Sequence, residues 1–314
     1  IIGAGQTISA NDGSLHTGTS NTFETVCAIS IVGVDGGICF GTIQNAINAA
    51  SPGKTINIAA GTYQENITID KSLTLQGENP GIVADSKTLL TPGTLKSVIQ
   101  ASDPATPAIR ITAPPTAPFN GLTVKNLRVT GNAGSGVMKI STTGNHKNLT
   151  VDKVAFDGGE RGIFSSDNTS TVATVAITNS AFRCSAVTAT GLEIWFASSS
   201  LTLTNNYITN CRDGINLGNA GGISPPVGGT NLVSGNVIEN TGDSGIQVAV
   251  SFGNLTISNN TITGAGTIGV GNGEGIQIES PGQPSTITLT GNKIKDGEQG
   301  LVFSGLLGST ASVS

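Results

Sequence analysis

The side chains able to do chemistry are few, and they gather in one stretch. Asp157, Glu160 and Arg161 come first, then Arg183 and Glu193, then Arg212 and Asp213. Carboxylates beside arginines could hold a sugar, with Glu193 or Asp213 near a cation and one of the arginines as base. Trp195, Phe196 and Tyr207 follow closely and could offer a face on which a sugar ring stacks. A plainer account fits the same residues. They could form a solvated surface whose charges pair with their neighbours, each pair adding well under ~1 kcal/mol, with the aromatics as local packing. Other chemistries find little material. His16 and His146 are the only histidines, and no cysteine has CxxC or His-flanked spacing, so neither a metal site nor a cofactor is expected.

The elements that must carry these residues repeat. A glycine followed by alternating apolar residues recurs at Gly136, Gly162, Gly191, Gly214, Gly245, Gly275 and Gly300, with steps of 26, 29, 23, 31, 30 and 25 residues. Between these glycines an aliphatic residue is followed five positions later by another large apolar one. The pairs are Val124/Val129, Val151/Phe156, Ile177/Phe182, Leu203/Ile208, Val233/Ile238, Ile257/Ile262 and Leu289/Ile294. Each unit then holds about three short strands of period two, with turns rich in Gly and Asn and without a helix. Such a unit cannot bury its apolar face alone; stacked on copies of itself about 4.8 Å apart, it forms a continuous core. Asn206, Asn236, Asn260 and Asn292 hold one position in successive units and suit a turn ladder. In the same way Glu193 shares its register with Asn216, Gln247 and Gln277, all on the outward side of the strand after the repeated glycine.

Upstream, Thr55–Ile58, Asn66–Ile69 and Ser72–Leu75 read as the three strands of an early coil. Residues 42–50 carry Ile43, Ala46, Ile47 and Ala50 at helical spacing, which predicts a short helix covering the first coil's open edge. Proline-rich Asp103–Pro118 and Gly221–Gly229 are expected to loop outwards. Cys27 and Cys39 are expected to close a hairpin within an N-terminal extension of residues 1–40. Cys184 and Cys211, one coil apart, fall within disulfide reach as a structural staple. The resulting organisation is an extension over 1–40 and one β-helix domain over 41–314.

Composition agrees and excludes several classes. Only 11% of residues are charged and 4% aromatic, against 44 glycines in 314 residues. A net charge of −5 with scattered basic residues gives no footprint for nucleic acid, and no apolar run approaches a membrane span. Four cysteines in a Thr- and Asn-rich chain favour an oxidising, extracellular or cell-surface setting. The chain opens at Ile1 without a basic-plus-apolar leader, so a signal peptide is expected to have been removed. Asn66, Asn148, Asn168, Asn254 and Asn259 stand in N-glycosylation sequons, although Asn-Leu-Thr also arises from the strand pattern itself.

Gly41-Thr-Ile-Gln-Asn-Ala-Ile-Asn-Ala-Ala, Gly53-Lys-Thr-Ile-Asn-Ile, Gly61-Thr-Tyr-Gln-Glu and Lys71-Ser-Leu-Thr-Leu-Gln-Gly-Glu resemble the start of right-handed parallel β-helix proteins of the pectin-lyase-like superfamily. With the repeats, the resemblance covers roughly residues 41–303. It implies an all-β, single-stranded parallel β-helix, here of about ten coils with a capping helix. The superfamily includes pectinesterases, pectate lyases and uncharacterised surface proteins. The motifs of a pectinesterase-like or polygalacturonase-like site are missing. A pectate-lyase-like site asks only for a Ca²⁺-binding carboxylate cluster and a basic residue that removes the proton alpha to a uronate, which leaves the Glu193/Arg212/Asp213 region as its one candidate. Two classes of function follow. The first is a non-catalytic structural or adhesive protein of the surface branch, stacking head to tail with copies of itself into a filament or layer. The alternative is a polysaccharide lyase, a hydrolase or a carbohydrate-binding β-helix acting on an extracellular glycan.

Overall fold

The structure is a computed structural model that describes residues 9–11, 17–19, 27–32, 39–81, 83, 85–112, 118–131, 136–141, 146–165, 172–185, 189–194, 197–218, 229–249, 254–268, 271–279, 286–304 and 310–314. Three sheets run the length of the molecule. Among the described residues, sheet 1 has eleven strands, from Ile29–Ile31 to Thr310–Val313. Sheet 2 has nine, from Gly61–Gln64 to Lys293–Lys295, and sheet 3 has nine, from Ile67–Ile69 to Gln299–Phe303. The chain visits the sheets in turn, so one coil reads Ala197–Thr204, Tyr207–Thr209 and Ile215–Leu217. This is the expected single-stranded parallel β-helix. Among the described residues, one pairing within the three sheets is antiparallel, Ile29–Ile31 against Thr55–Ile58.

The apolar pairs spaced five apart are two ladders on either side of one corner. Val124, Val151, Ile177, Leu203, Val233, Ile257 and Leu289 are register partners along sheet 1. Val129, Phe156, Phe182, Ile208, Ile238, Ile262 and Ile294 are partners along sheet 2. Phe156 and Phe182 stack with ring centroids 4.9 Å apart, as identical positions on successive parallel coils must. Between the ladders the corner residue takes a left-handed conformation, as at Asn179, Asn205 and Asn259.

A repeated glycine stands at the start of most sheet 3 strands, and from Gly162 to Gly275 close approach requires it. A Cβ on Gly214 would lie 2.6 Å from the Gly245 carbonyl oxygen, and one on Gly245 equally close to that of Gly275, with an isoleucine of sheet 2 on the other side. The glycine thus fixes the phase of the strand that follows. In Gly191-Leu192-Glu193-Ile194, Leu192 and Ile194 point into the core, leaving Glu193 on the outer side.

The cap helix spans Ile43–Ala49, with Thr42 as N-cap. Ile43, Ala46 and Ile47 join the core, while the Glu65 carboxylate accepts from the Ile43 and Gln44 N–H groups at 2.8 and 3.0 Å. Gln44 bonds through its side chain to Thr68 N and O, covering the free edge of sheet 3. Disulfides join Cys27 to Cys39 and Cys184 to Cys211. The second links consecutive coils with Cα atoms 5.1 Å apart.

Several details differ from expectation. Among the described residues, sheets 2 and 3 hold nine strands each rather than about ten coils, because insertions consume chain without adding a turn. Thr55–Ile58 and Leu73–Gly77 are neighbours in sheet 1, not members of one coil; the sheet 2 strand between them, Gly61–Gln64, lacks a buried apolar alternation to mark it. Asp103–Pro118 is not one loop, since Ile109–Ile111 within it belongs to sheet 3. The described residues between Glu78 and Lys96 form an insertion whose 3₁₀ turn, Ser86–Leu90, lies on the outside of sheet 2. Leu89, Leu90 and Leu95 pack there with Ala155, Ala181 and Tyr207 as a second, smaller core. Most of the loop expected at Gly221–Gly229 lies outside the described residues.

Candidate functional site

Glu193 lies at the centre of the strongest candidate. Its register partners along sheet 3 are Asn216, then Gln247, then Gln277, one polar side chain per coil on the outer face. Asn216 Nδ2 donates to Gln247 Oε1 at 2.5 Å, Gln247 Nε2 to Gln277 Oε1 at 3.1 Å, and Gln277 Nε2 to Glu279 Oε1 at 2.9 Å. The three amides are half-buried, whereas Glu193 is only 4% exposed.

Beside this row runs the corner from sheet 2 to sheet 3, where the residue before each glycine also stacks. Thr190, Asp213, Ser244 and Glu274 occupy it, all buried. Thr190 Oγ1 donates to Asp213 Oδ2 at 3.3 Å, and Ser244 Oγ to Glu274 Oε2 at 3.4 Å and Gln277 Oε1 at 3.1 Å. Arg161 sets its Nε 3.1 Å from Glu193 Oε2. Arg212 lies 3.6 Å from Asp213 and 3.5 Å from Asp243.

Burial dominates the electrostatics. It pushes the Glu193 carboxyl up to about 7, against the opposing pull of Arg161 and with a further push from Asp213. Burial also raises Asp213, where Arg212 opposes and Asp243 adds. Glu274 is raised by burial as well, with Asp243 reinforcing it. Glu193 Oε2 and Asn216 Oδ1, on register-paired residues, are buried acceptors that receive no hydrogen bond among the described residues; the Arg161 contact to the former is an ion pair without hydrogen-bond alignment.

The cluster foreseen from sequence therefore divides. Glu193, Asp213, Arg161, Arg212, Asn216, Gln247 and Gln277 come together. Arg183 and Asp157 do not join them: they lie on the outside of sheet 2, where Arg183 donates to Asp157 at 2.6 and 2.7 Å and Arg128 bonds the same carboxylate. Tyr207 is also on sheet 2, buried beneath the insertion, donating to Glu239 at 2.7 Å with Lys87 over its ring. The reason is phase: residues before the turn to sheet 3 face a different side from those after it. Trp195 and Phe196 lie outside the described residues, as does Asn168. Among the other sequons, Asn148, Asn254 and Asn259 are exposed, while Asn66 is structural, its Nδ2 donating to three carbonyls and its Oδ1 accepting from Ser102 and Asp103. Among the described residues no group of three or more His, Cys, Asp and Glu is arranged to hold a metal ion.

The repeat is matched by a protein family described as the right handed beta helix region, over residues 116–294. The chain belongs to this family. The matched part contains six complete turns of the right-handed β-helix and every residue of the Glu193 site. No curated protein matches the chain. Among solved structures, it is similar to the alginate lyase from Paenibacillus sp. str. FPU-7, at 16% identity and a TM-score of 0.47, covering 84% of this chain and 95% of that one. It is also similar to the Family 28 exopolygalacturonase of Yersinia enterocolitica, at 15% identity and a TM-score of 0.33, covering 95% and 79%. At these identities the likeness concerns the β-helix fold alone.

Sequence reasoning missed Ser244 and Glu274. Both immediately precede a repeated glycine, as Asp213 does, and that shared offset could have identified them.

Proposed function

We propose that this β-helix protein binds an extracellular glycan along the outer face of sheet 3, centred on Glu193. The reading rests on one observation: two adjoining buried acceptors, Glu193 Oε2 and Asn216 Oδ1, receive no hydrogen bond among the described residues. Buried acceptors left without donors cost about 1–3 kcal/mol each, and sugar hydroxyls would supply the missing donors. The half-buried amides of Gln247 and Gln277 extend the row, so an extended chain would lie parallel to the β-helix axis. Two disulfides support an oxidising, extracellular setting, and no helix among the described residues is long and apolar enough to cross a membrane. Affinity electrophoresis through gels containing neutral and acidic polysaccharides tests the reading. The wild type is retarded by at least one of them, and Glu193→Ala is not; equal mobility in every gel would remove the proposal.

A catalytic role is favoured by a separate observation. A carboxyl raised to about 7 can give or take a proton near neutral pH, and Asp213 supplies a second carboxyl nearby. Release of new reducing ends or unsaturated uronides from the retarding polysaccharide distinguishes turnover from binding. The head-to-tail association expected from sequence is favoured by the exposed apolar side chains of Phe303 and Val313. Sedimentation velocity over a range of concentrations tests that association independently.

A further inference from the structure

The insertion over sheet 2 leaves a groove open along one side. Val83, Asp85 and Ser86 form one wall, and the corner residues Lys153, Asn179, Asn205 and Gly235 form the other, with Val237 at the floor. Its volume is about 360 Å³, at the lower end of the range for small-molecule sites. Lys153, Asn179, Asn205 and Gly235 occupy one position on four successive coils, all with φ between 49° and 66°. Three steps of about 4.8 Å make that wall roughly 14 Å long.

We propose that this groove is a second binding site, distinct from the sheet 3 face, for a neutral sugar of one or two rings. The backbone donors of the corner wall are already engaged: the N–H groups of Lys153, Asn179, Asn205 and Gly235 all donate to carbonyls of the next coil. An extended peptide adding itself as a strand finds these four donors already taken, which shifts recognition towards side chains. Those side chains are two amides, a hydroxyl, an ammonium and a carboxylate, beside the aliphatic carbon of Val83 and Val237. Polar groups and aliphatic carbon side by side match the hydroxyls and the C–H face of a sugar ring. One cation and one anion balance, which disfavours a polyanion. Asp85 keeps its charge because Thr88 donates to it through both Oγ1 and N. Both donors bond Oδ1, and Oδ2 receives none from Thr88.

The two walls allow substitutions that spare the fold. Asn205→Gly deletes a side chain while keeping a residue suited to φ 56°, and Ser86→Trp fills the groove from the insertion side. The probes are cellobiose, maltose and lactose, titrated to millimolar concentrations into the ¹⁵N-labelled protein. Saturable shifts are expected at the amides of Asn179, Asn205 and Gly235 with at least one disaccharide. They should be abolished in Ser86→Trp, weakened at least about fivefold in Asn205→Gly, and unchanged in Glu193→Gln. That last variant separates this site from the sheet 3 reading. No saturable shift with any of the three, or shifts that persist undiminished in both groove variants, would overturn the proposal. Salt-sensitive binding of digalacturonate in preference to all three would overturn the assignment to a neutral sugar.

Discussion

Two polar ladders climb this β-helix with the same spacing, and they have opposite characters. The inner one, Asn206–Asn236–Asn260–Asn292, sits inside the corner between sheets 1 and 2. Each of its amides is engaged on both sides: Asn236 Nδ2 donates to Leu203 O and Asn260 Oδ1 at 2.9 Å, and Asn236 Oδ1 accepts twice from Asn206 at 3.0 Å. The outer one, Glu193–Asn216–Gln247–Gln277, begins with a carboxyl in place of an amide and leaves two acceptors without donors among the described residues. Stacking alone does not make a polar ladder structural. Four like residues close the circuit of donors and acceptors, whereas a mixed row leaves remainders for a ligand to satisfy.

The largest effect should come from breaking the inner ladder. Asn236→Ala removes the acceptor of two Asn206 N–H groups and the donor to Leu203 O inside the protein. The expected loss is about 3–5 kcal/mol in equilibrium urea unfolding. A loss below ~1 kcal/mol would mean that the inner ladder is no more structural than the outer one.

Glu193→Gln should act with the opposite sign. The folded-state carboxyl titrates near 7 against an ordinary 4.5, so the folded protein holds this proton more tightly than the unfolded chain. Stability from this group is therefore fully present below about pH 4.5, falls as pH rises towards 7, and stays low above it. The shift corresponds to roughly 3 kcal/mol. Thermal unfolding of Glu193→Gln should lose most of that slope and show a gain at pH 8. The remainder comes from Asp213 and Glu274, which are raised in the same direction.

Much of this contrast was readable in the chain. The glycine steps, the paired apolar ladders and the four asparagines each repeat, and repetition turns weak local signals into a strong one. The shared register of Glu193, Asn216, Gln247 and Gln277 came from the same source. What repetition could not reveal was everything that occurs once. The insertion at 78–96 has no counterpart in other coils, so neither the cover over Tyr207 nor the groove beside it was foreseen. Gly61–Gln64 faces outwards along most of its length and carries no alternation to read. Arg183 and Glu193 are ten residues apart, close enough to suggest a common site, but a corner between them sends them to different sheets.

Gln247→Ala probes the outer ladder away from its charge. The half-buried amide gives up one bond to Gln277 and one from Asn216, and the partners at this surface can turn to water. Unfolding should shift by less than about 1 kcal/mol, while retardation in the polysaccharide gel falls. A stability loss as large as that of Asn236→Ala would erase the distinction between the ladders.

Arg212→Ala should have the smallest effect on stability and still report on the site. The Arg212 side chain is 45% exposed and its two carboxylate contacts are 3.5 and 3.6 Å, a geometry worth less than about 1 kcal/mol. Its influence on Asp213 is more direct, because Arg212 is the foremost of the interactions that hold the raised Asp213 carboxyl down. Without it, burial and Asp243 act with less opposition, and the Asp213 midpoint should move further up in ¹³C-carboxyl NMR titration. The Glu193 midpoint should follow by a smaller amount, since Arg212 opposes its rise only after Arg161. Equal shifts at both carboxyls would mean that they titrate as one unit, and the outer ladder would then hold a shared proton where two separate acids are now drawn.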